Sequence, residues 1–156
     1  NKEKYSFSFQ VLAYITRLRK LLAVLEKSDD KIIICERSIY TDKFVFAKML
    51  YQQKFINDIE WKTYNYWFDT FKDKTKLTTI IYINTSPEIC FERIKKRNRT
   101  GESNIPLDYL NHCHLLHTEW LVSSKRGDEN IIIFDGNKNL DELDEENYIK
   151  SLCLDI

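Results

Sequence analysis

The stretch KIIICERSIYTDKFVF, Lys31 to Phe46, joins an apolar run to two opposite charges and then to residues at helical spacing. The run KIIIC (31–35) is rich in β-branched residues and is typical of a buried strand in a parallel sheet. Glu36 and Arg37 follow at the carboxyl end, the edge where such sheets bind ligands. A carboxylate there can hold Mg²⁺ and a guanidinium can bind phosphate oxygens. A surface ion pair of little energetic value would give the same pattern.

Two further apolar runs, LTTIIYI (77–83) and NIIIFDG (130–136), also read as buried strands. Segments of helical periodicity alternate with the three runs, and they are predicted at about 7–25, 39–53, 58–71, 87–97, 106–124 and 140–152. This alternation predicts an α/β fold in which helices cover both faces of a parallel sheet, giving three layers. A length of 156 residues suits one domain, residues 1–156.

Composition excludes several classes of protein. Lys and Arg together number 24, as do Asp and Glu, so the basic excess of a general nucleic-acid binder is missing. No apolar run is long enough to cross a membrane, and we expect no membrane partner. The four cysteines are far apart, which favours reduced thiols and a cytoplasmic location. They are Cys35, Cys90, Cys113 and Cys153.

A second group of candidate residues combines an earlier helix with the end of the opening stretch. Gln10 and Arg17 are seven residues apart, so on a helix they point the same way, beside the apolar stripe. Asp42 is a natural partner for Arg17 if the two helices pack together. Phe46 follows Asp42 by one turn and could supply a flat stacking wall. An ordinary helix with polar flanks remains the alternative.

The segment ERIKKRNRTGE (92–102) concentrates positive charge at the end of a predicted helix. Arg93 and Arg97 share one face, and Arg99 follows in a loop that contains Gly101. Cations at a helix C-terminus are favourable because of the helix dipole, which is reason enough for their presence. Three arginines before a polar loop also suit a mobile clamp on a phosphoryl group.

Two other segments were weighed for ligand binding. HCHLLH (112–117) places Cys113 and His117 four residues apart, but a structural zinc site needs four convergent ligands, and we favour a packing role. WKTYNYWFDTF (61–71) has rings on several faces. Few basic residues interleave with those rings, so core and oligomer contacts are favoured over a platform for nucleic-acid bases.

Taken in order, four segments resemble the deoxynucleoside kinase family, in particular the branch of deoxycytidine and deoxyguanosine kinases. They are SFSFQ…RLR, ERSIYTDKFVFA, YINTSPEICFERIKKRNRTGE and IPLDYL. The resemblance runs from about Tyr5 to the C-terminus. It implies a P-loop kinase-like fold and transfer of a γ-phosphoryl group from ATP or another nucleoside triphosphate, with Mg²⁺, to the 5′-hydroxyl of a deoxynucleoside. It also implies a homodimer.

The resemblance assigns roles to individual residues. Substrate-binding roles fall on Phe9, Gln10, Arg17, Asp42, Phe46, Glu102 and Tyr109, with Gln10 reading the base edge and Phe46 stacking on the base. Catalytic roles fall on Glu36, Arg37, Arg93, Arg97 and Arg99, with Glu36 also holding Mg²⁺. Arg93, Arg97, Asp135 and Asn137 are implied in binding the phosphate donor, through a lid at about 93–104 and a loop around the donor base.

Substrate choice and completeness follow from the same resemblance. The Arg17/Asp42 pair resembles the branch that accepts deoxycytidine and purine deoxynucleosides, so we expect poor use of thymidine. The family's first strand, P-loop and general-base carboxylate have no counterpart in this sequence, and we expect the 156-residue chain alone to be inactive. A nucleoside monophosphate kinase and a non-catalytic nucleotide-binding subunit are the alternatives.

Overall fold

The computed structural model describes residues 1–27, 32–102, 104–123 and 130–138. The chain forms two compact units, Asn1–Lys76 and Leu77–Ile156, which are described separately. The prediction of one domain stays a prediction. In the described part of the chain, no helix is both long and apolar enough to cross a membrane.

The first unit is helical. Its elements are α1 (Lys2–Leu25), α2 (Ile39–Thr41), a π-helical segment (Asp42–Ala47), α3 (Lys48–Gln52), α4 (Asp58–Phe71) and a 3₁₀ turn (Lys72–Thr75). The predicted helix over 39–53 is therefore one helical run with a widened middle. Asn57 caps α4, because its side chain accepts hydrogen bonds from Ile59 N and Glu60 N, and the Glu60 carboxylate accepts from Asn57 N.

The buried face of α1 differs from the predicted apolar stripe. Ser6, Gln10, Tyr14 and Leu18 are buried at steps of four, whereas Ile15 is 42% exposed. Gln10 therefore lies within the buried face, and the prediction that it lies beside that face was wrong. Apolar periodicity missed this because two of the four buried positions carry polar side chains.

The core of the first unit is aromatic. Its buried members are Tyr14, Leu18, Ile39, Ala47, Tyr64 and Phe68. Rings of α1 and α4 meet directly, with the Tyr14 and Tyr64 centroids 5.6 Å apart. The predicted core role of the 61–71 segment is confirmed for Tyr64 and Phe68, while Tyr66 and Trp67 remain 66% and 48% exposed.

The predicted strand at 31–35 is wrong over the residues that the structure describes. Residues 32–35 form no strand, and Ile32 and Ile34 are 89% and 91% exposed. A strand exists only through the ladder of hydrogen bonds to a neighbour, and no described segment pairs with this one. The apolar run thus carries a strand-like composition without a partner strand.

The second unit contains a parallel pair of strands, which confirms the α/β class. Its elements are β1 (Thr79–Asn84), α5 (Pro87–Arg97), α6 (Leu107–Thr118), a π-helical segment (Glu119–Ser123) and β2 (Asn130–Asp135). Asn84 pairs with Asp135 in register, so both strands end at one edge. Ile81 and Ile83 are 46% and 60% exposed, unlike the sheet covered on both faces that was predicted. Alternation of side chains along β1 places these two on one face.

The histidine segment has a packing contact. The His117 ring stacks on Tyr82 with centroids 5.7 Å apart, and its Nδ1 lies 2.8 Å from Cys113 O. No group of three or more potential metal-ligating His, Cys, Asp or Glu side chains converges within the described ranges. The helix predicted at 140–152 and Cys153 lie outside the described residues.

Candidate active site

The predicted contact between Arg17 and Asp42 is confirmed. Arg17 Nε donates to Asp42 Oδ2 at 2.7 Å, which joins α1 to the π-helical segment. The Asp42 side chain is 4% exposed and that of Arg17 is 33% exposed. Removing one partner of a fully buried pair costs about 3–5 kcal/mol, and the half-open position of Arg17 makes the cost smaller here. Arg17 keeps its Nη groups available, since only Nε takes part in this bond.

Gln10 lies two helical turns before Arg17 on the same side of α1. It is 7% exposed, and its amide makes no hydrogen bond to any residue that the structure describes. The buried side-chain atoms that lack a partner do not include this amide, so its two donors and its acceptor stay accessible to solvent. This position is therefore suited to a planar ligand with a hydrogen-bonding edge. Phe9 beside it is 63% exposed, so the structure does not bring its ring to the buried side.

Tyr64 is a candidate that the sequence did not single out. Its side chain is 2% exposed, and its hydroxyl is one of two buried polar atoms without a hydrogen-bond partner among the described residues. Burial, and then the charge of Asp42, raises the pKa of Tyr64 above its ordinary value. The only sequence signal would have been a tyrosine at a core position of an aromatic helix.

Arg37 and Phe46 lie in contact in the first unit. The Arg37 guanidinium is 5.1 Å from the centre of the Phe46 ring, a cation–π contact. Arg37 also has a φ of 61°, which costs energy for a residue with a side chain. Ser38 Oγ accepts from Thr41 N at 3.4 Å and begins α2, so ERS also has a structural role.

Glu36 is exposed at the start of this turn. Its carboxylate makes no hydrogen bond or ion pair with any described residue, which leaves the oxygens available to a cation. Carboxylate oxygens are the ligands that Mg²⁺ prefers in proteins. The residue therefore fits the predicted metal-binding role chemically, and that role stays a prediction.

The second unit holds the predicted lid. Arg97 Nη2 pairs with Glu102 Oε2, and Arg99 Nη1 lies 3.5 Å from Glu102 Oε1. Asn98 ends α5 with φ 46° and Gly101 has φ 88°, so the chain turns back and brings Glu102 to both arginines. The Arg97 and Arg99 side chains are 54% and 67% exposed. Tyr109 is half-buried in the first turn of α6.

The remaining donor-side residues meet at the carboxyl ends of the strands. Asp135 Oδ1 accepts from Asn137 N and Nδ2 at 2.9 and 2.8 Å. Asn137 Oδ1 accepts from Ser86 N at 2.9 Å, and the Arg93 guanidinium bonds to the backbone of residues 136–138. Asn84 Oδ1 is the other buried atom without a partner in the described part. The bonds of these side chains hold the loop after β2 against the end of β1 and against α5.

Comparison with known proteins identifies the family. Residues 1–153 match the family model described as deoxynucleoside kinase. This chain belongs to the deoxynucleoside kinase family. The match covers nearly the whole sequence, so it includes the Arg17/Asp42 group and the lid.

Curated members of the deoxynucleoside kinase family are similar over most of the chain. A fowlpox virus protein named "Probable deoxycytidine kinase" is 34% identical over 156 residues, covering 98% of this chain and 66% of the relative. Human deoxycytidine kinase is 38% identical over 128 residues, 77% of this chain and 49% of the relative. The mitochondrial deoxyguanosine kinase of Xenopus laevis is 33% identical over 146 residues, 88% and 54% of the two chains. The chain spans about half to two thirds of these relatives.

Backbone strain at Arg37 of this deoxynucleoside kinase family member can be measured by substitution. We expect Arg37→Gly to be more stable than Arg37→Ala by about 1 kcal/mol, because glycine adopts positive φ without a clash of Cβ. Both variants lose the contact with Phe46, so their difference isolates the backbone. Urea unfolding of the full-length protein measures it, and an alanine variant of equal or greater stability would show that Arg37 is unstrained.

Proposed function

We propose that this chain belongs to a kinase that phosphorylates the 5′-hydroxyl of a deoxynucleoside, using ATP or another nucleoside triphosphate with Mg²⁺. The acceptor is deoxycytidine or a purine deoxynucleoside rather than thymidine. Family membership and the names of the relatives support the reaction class. Cys35, Cys90 and Cys113 form no disulfide among the residues that the structure describes, which is compatible with a cytoplasmic location.

The observation that carries the proposal is the unused amide of Gln10 beside the Arg17–Asp42 pair. The Gln10 amide can both donate to and accept from a nucleobase edge, whereas the Arg17 guanidinium can only donate and the Asp42 carboxylate can only accept. Phe46 follows on the same helical run and offers an aromatic surface for stacking. Together these groups suit a flat, neutral ligand with several hydrogen-bonding atoms.

Phosphoryl transfer depends mainly on positioning and on neutralising charge. Glu36 would hold Mg²⁺, and Arg37 would contact the 5′ end of the sugar and the transferring phosphate. Arg97 and Arg99 would leave Glu102 to bind the phosphates of the donor, and Glu102 with Tyr109 would then lie near the sugar. These assignments follow from family resemblance, and the exposure of both lid arginines supports them.

A nucleoside monophosphate kinase is the competing enzyme. Such an enzyme needs uncompensated cations where the acceptor phosphate binds. The positive charge of Arg17 is instead matched by Asp42 at 2.7 Å, which favours an acceptor without a phosphate. A non-catalytic subunit on the same fold would bind nucleotides without turnover, and the assay below separates it.

Phosphate transfer from ATP with Mg²⁺ tests the proposed reaction directly. We expect the natural full-length protein to phosphorylate deoxycytidine, deoxyadenosine or deoxyguanosine, with kcat/KM for thymidine lower by about tenfold or more. Thymidine would leave hydrogen-bonding groups of the Arg17–Asp42 pair unmatched, and a tenfold loss corresponds to about 1.4 kcal/mol. Transfer to a nucleoside monophosphate alone would indicate the competing enzyme. No transfer to any acceptor would indicate a binding subunit.

The Arg17–Asp42 pair is expected to determine specificity. The double variant Arg17→Met/Asp42→Ala should raise thymidine turnover relative to deoxycytidine. The variant replaces a charged pair by apolar side chains, one of them much smaller, and so can accommodate the 5-methyl group. Steady-state kinetics with both acceptors measure the ratio. The matched control is Lys95→Met with Glu92→Ala, which removes an exposed pair of 3.1 Å from α5. An unchanged ratio in the first variant would remove the specificity claim.

We also propose that the protein is a homodimer that uses a groove on the first unit. The groove, of about 460 Å³, lies between α1 and the end of α4 and is lined by Ile15, Leu18, Arg19, Leu22, Ala23, Glu26, Trp67 and Phe71. Arg19 and Glu26 are seven residues apart on α1. An antiparallel two-fold contact would set each against its opposite in the other copy, which favours a second copy as the occupant.

Sedimentation velocity on the full-length protein tests the dimer. We expect a dimer that Ile15→Asp converts to a monomer, since a carboxylate at the centre of an apolar interface is left without a partner. Leu115→Asp on α6 is the matched control, since Leu115 is a similarly exposed residue outside the groove. A wild-type monomer, or a dimer that survives Ile15→Asp, would contradict the proposed interface.

A further inference from the structure

The guanidinium of Arg93 is committed to the backbone of one loop. Nη1 donates to Gly136 O at 2.6 Å, and Nη2 donates to Asn137 O at 3.1 Å and to Lys138 O at 3.0 Å. Arg93 lies in the second turn of α5, so these bonds tie the lid helix to the segment after β2. One guanidinium thus donates to three carbonyls, and its positive charge strengthens each of these hydrogen bonds.

The loop is constructed to receive this side chain. Gly136 N donates to Asn84 O at 2.8 Å, which extends the pairing of the strands by one residue. A Cβ on Gly136 would lie 2.7 Å from Ile83 Cγ2 and closer still to Thr85 Oγ1, so only glycine permits this approach. The loop therefore reaches Arg93 in a defined conformation.

The other two arginines of the lid make different contacts. Arg97 and Arg99 are paired with Glu102, and their side chains are 54% and 67% exposed. Among the described residues, neither has a hydrogen bond to the loop after β2. The resemblance groups all three arginines as phosphate ligands, whereas the contacts separate Arg93 from the other two.

The geometry of a guanidinium sharpens this distinction. A phosphate is bound in a two-donor fashion along the Nη1/Nη2 edge or the Nε/Nη2 edge, and each edge includes an Nη2 hydrogen. Arg93 Nη2 already donates to both Asn137 O and Lys138 O. A phosphate at either edge would therefore compete with these carbonyls for Nη2.

We propose that Arg93 is a positioning residue that clasps the loop at 136–138 to the lid helix, rather than a ligand of the transferring phosphate. Its catalytic consequence rests on the proposed kinase function, because this loop is the one that the family resemblance places around the donor base. The clasp makes the loop and α5 move together, so it governs how well the donor binds.

Hydrogen–deuterium exchange on the nucleotide-free, full-length protein tests the clasp without reference to activity. The reporters are peptides containing Ser86 and residues 136–138, because the Ser86 and Gly136 amides bond across this junction. We expect both Arg93→Met and Arg93→Lys to speed exchange at these peptides by about tenfold or more. Methionine removes all the hydrogen bonds, and lysine keeps the charge but lacks the planar guanidinium that reaches three carbonyls. Peptides of α6, in the same unit as Arg93, and of α1 and α4 should be unchanged, which establishes that both units of the variants are folded.

Arg97→Met is the matched control, since it removes an arginine one turn along the same helix. It should leave exchange at both reporter peptides within about twofold of wild type. Exchange at wild-type rate in Arg93→Met would overturn the clasp. Exchange at wild-type rate in Arg93→Lys would overturn it too, because charge alone would then suffice.

Kinetics separate this inference from the proposed function. If the protein is the proposed kinase, Arg93→Met should raise KM for the donor about tenfold with kcat within about twofold, whereas Arg97→Met should lower kcat. A fall in kcat with unchanged donor KM in Arg93→Met would show that Arg93 acts on the transferring phosphate and would overturn the positioning role. An inactive wild-type protein would refute the kinase proposal alone, because the exchange experiment still decides the clasp.

Discussion

The bond between Arg17 Nε and Asp42 Oδ2 has two effects on the first unit. It ties the 24-residue helix α1 to the π-helical segment, and it compensates a carboxylate whose side chain is 4% exposed. A buried carboxylate is tolerated only with a charged partner, so the packing of α2 and the π-helical segment on Tyr14 and Leu18 depends on this pair. The same constraint leaves Gln10 within the buried face with unused hydrogen-bonding capacity. The residues proposed to bind the base are therefore among those that stabilise the first unit.

Within each unit, charged side chains are held by neighbouring side chains. Arg37 lies over Phe46, and Glu102 pairs with Arg97 and Arg99. Contacts between exposed charges contribute little to stability. The side chains can therefore leave them at little cost when a stronger partner binds. Arg93 differs, since its three charge-assisted bonds to backbone carbonyls are not of this exchangeable kind. We infer that the lid contains one fixed arginine and two that are free to move.

Local signals in the sequence predicted most elements, and long-range partners explain the misses. The helices predicted at about 58–71 and 87–97 and the parallel pairing of the last two strands follow from short segments, and all were confirmed. The strand predicted at 31–35 is absent over the described residues 32–35. Composition predicts which residues favour a strand but does not show whether a second strand lies beside them. Gln10 was misplaced because apolar periodicity cannot register a buried polar side chain. The Arg17–Asp42 contact was predicted on the condition that the two helices pack together, and it was confirmed. The orphan hydroxyl of Tyr64 and the bonds of Arg93, to residues 43 to 45 positions along the chain, depend on tertiary geometry that periodicity does not register.

The central claim is that the buried face around Gln10 and the Arg17–Asp42 pair binds the base of a deoxynucleoside. A crystal structure of the full-length protein with deoxycytidine tests it most directly. The account predicts the base edge within about 3.2 Å of the Gln10 amide and of the Arg17–Asp42 pair, with the ring of the base against Phe46. A nucleoside bound elsewhere, with the Gln10 amide still unused and Arg37 still over Phe46, would contradict it.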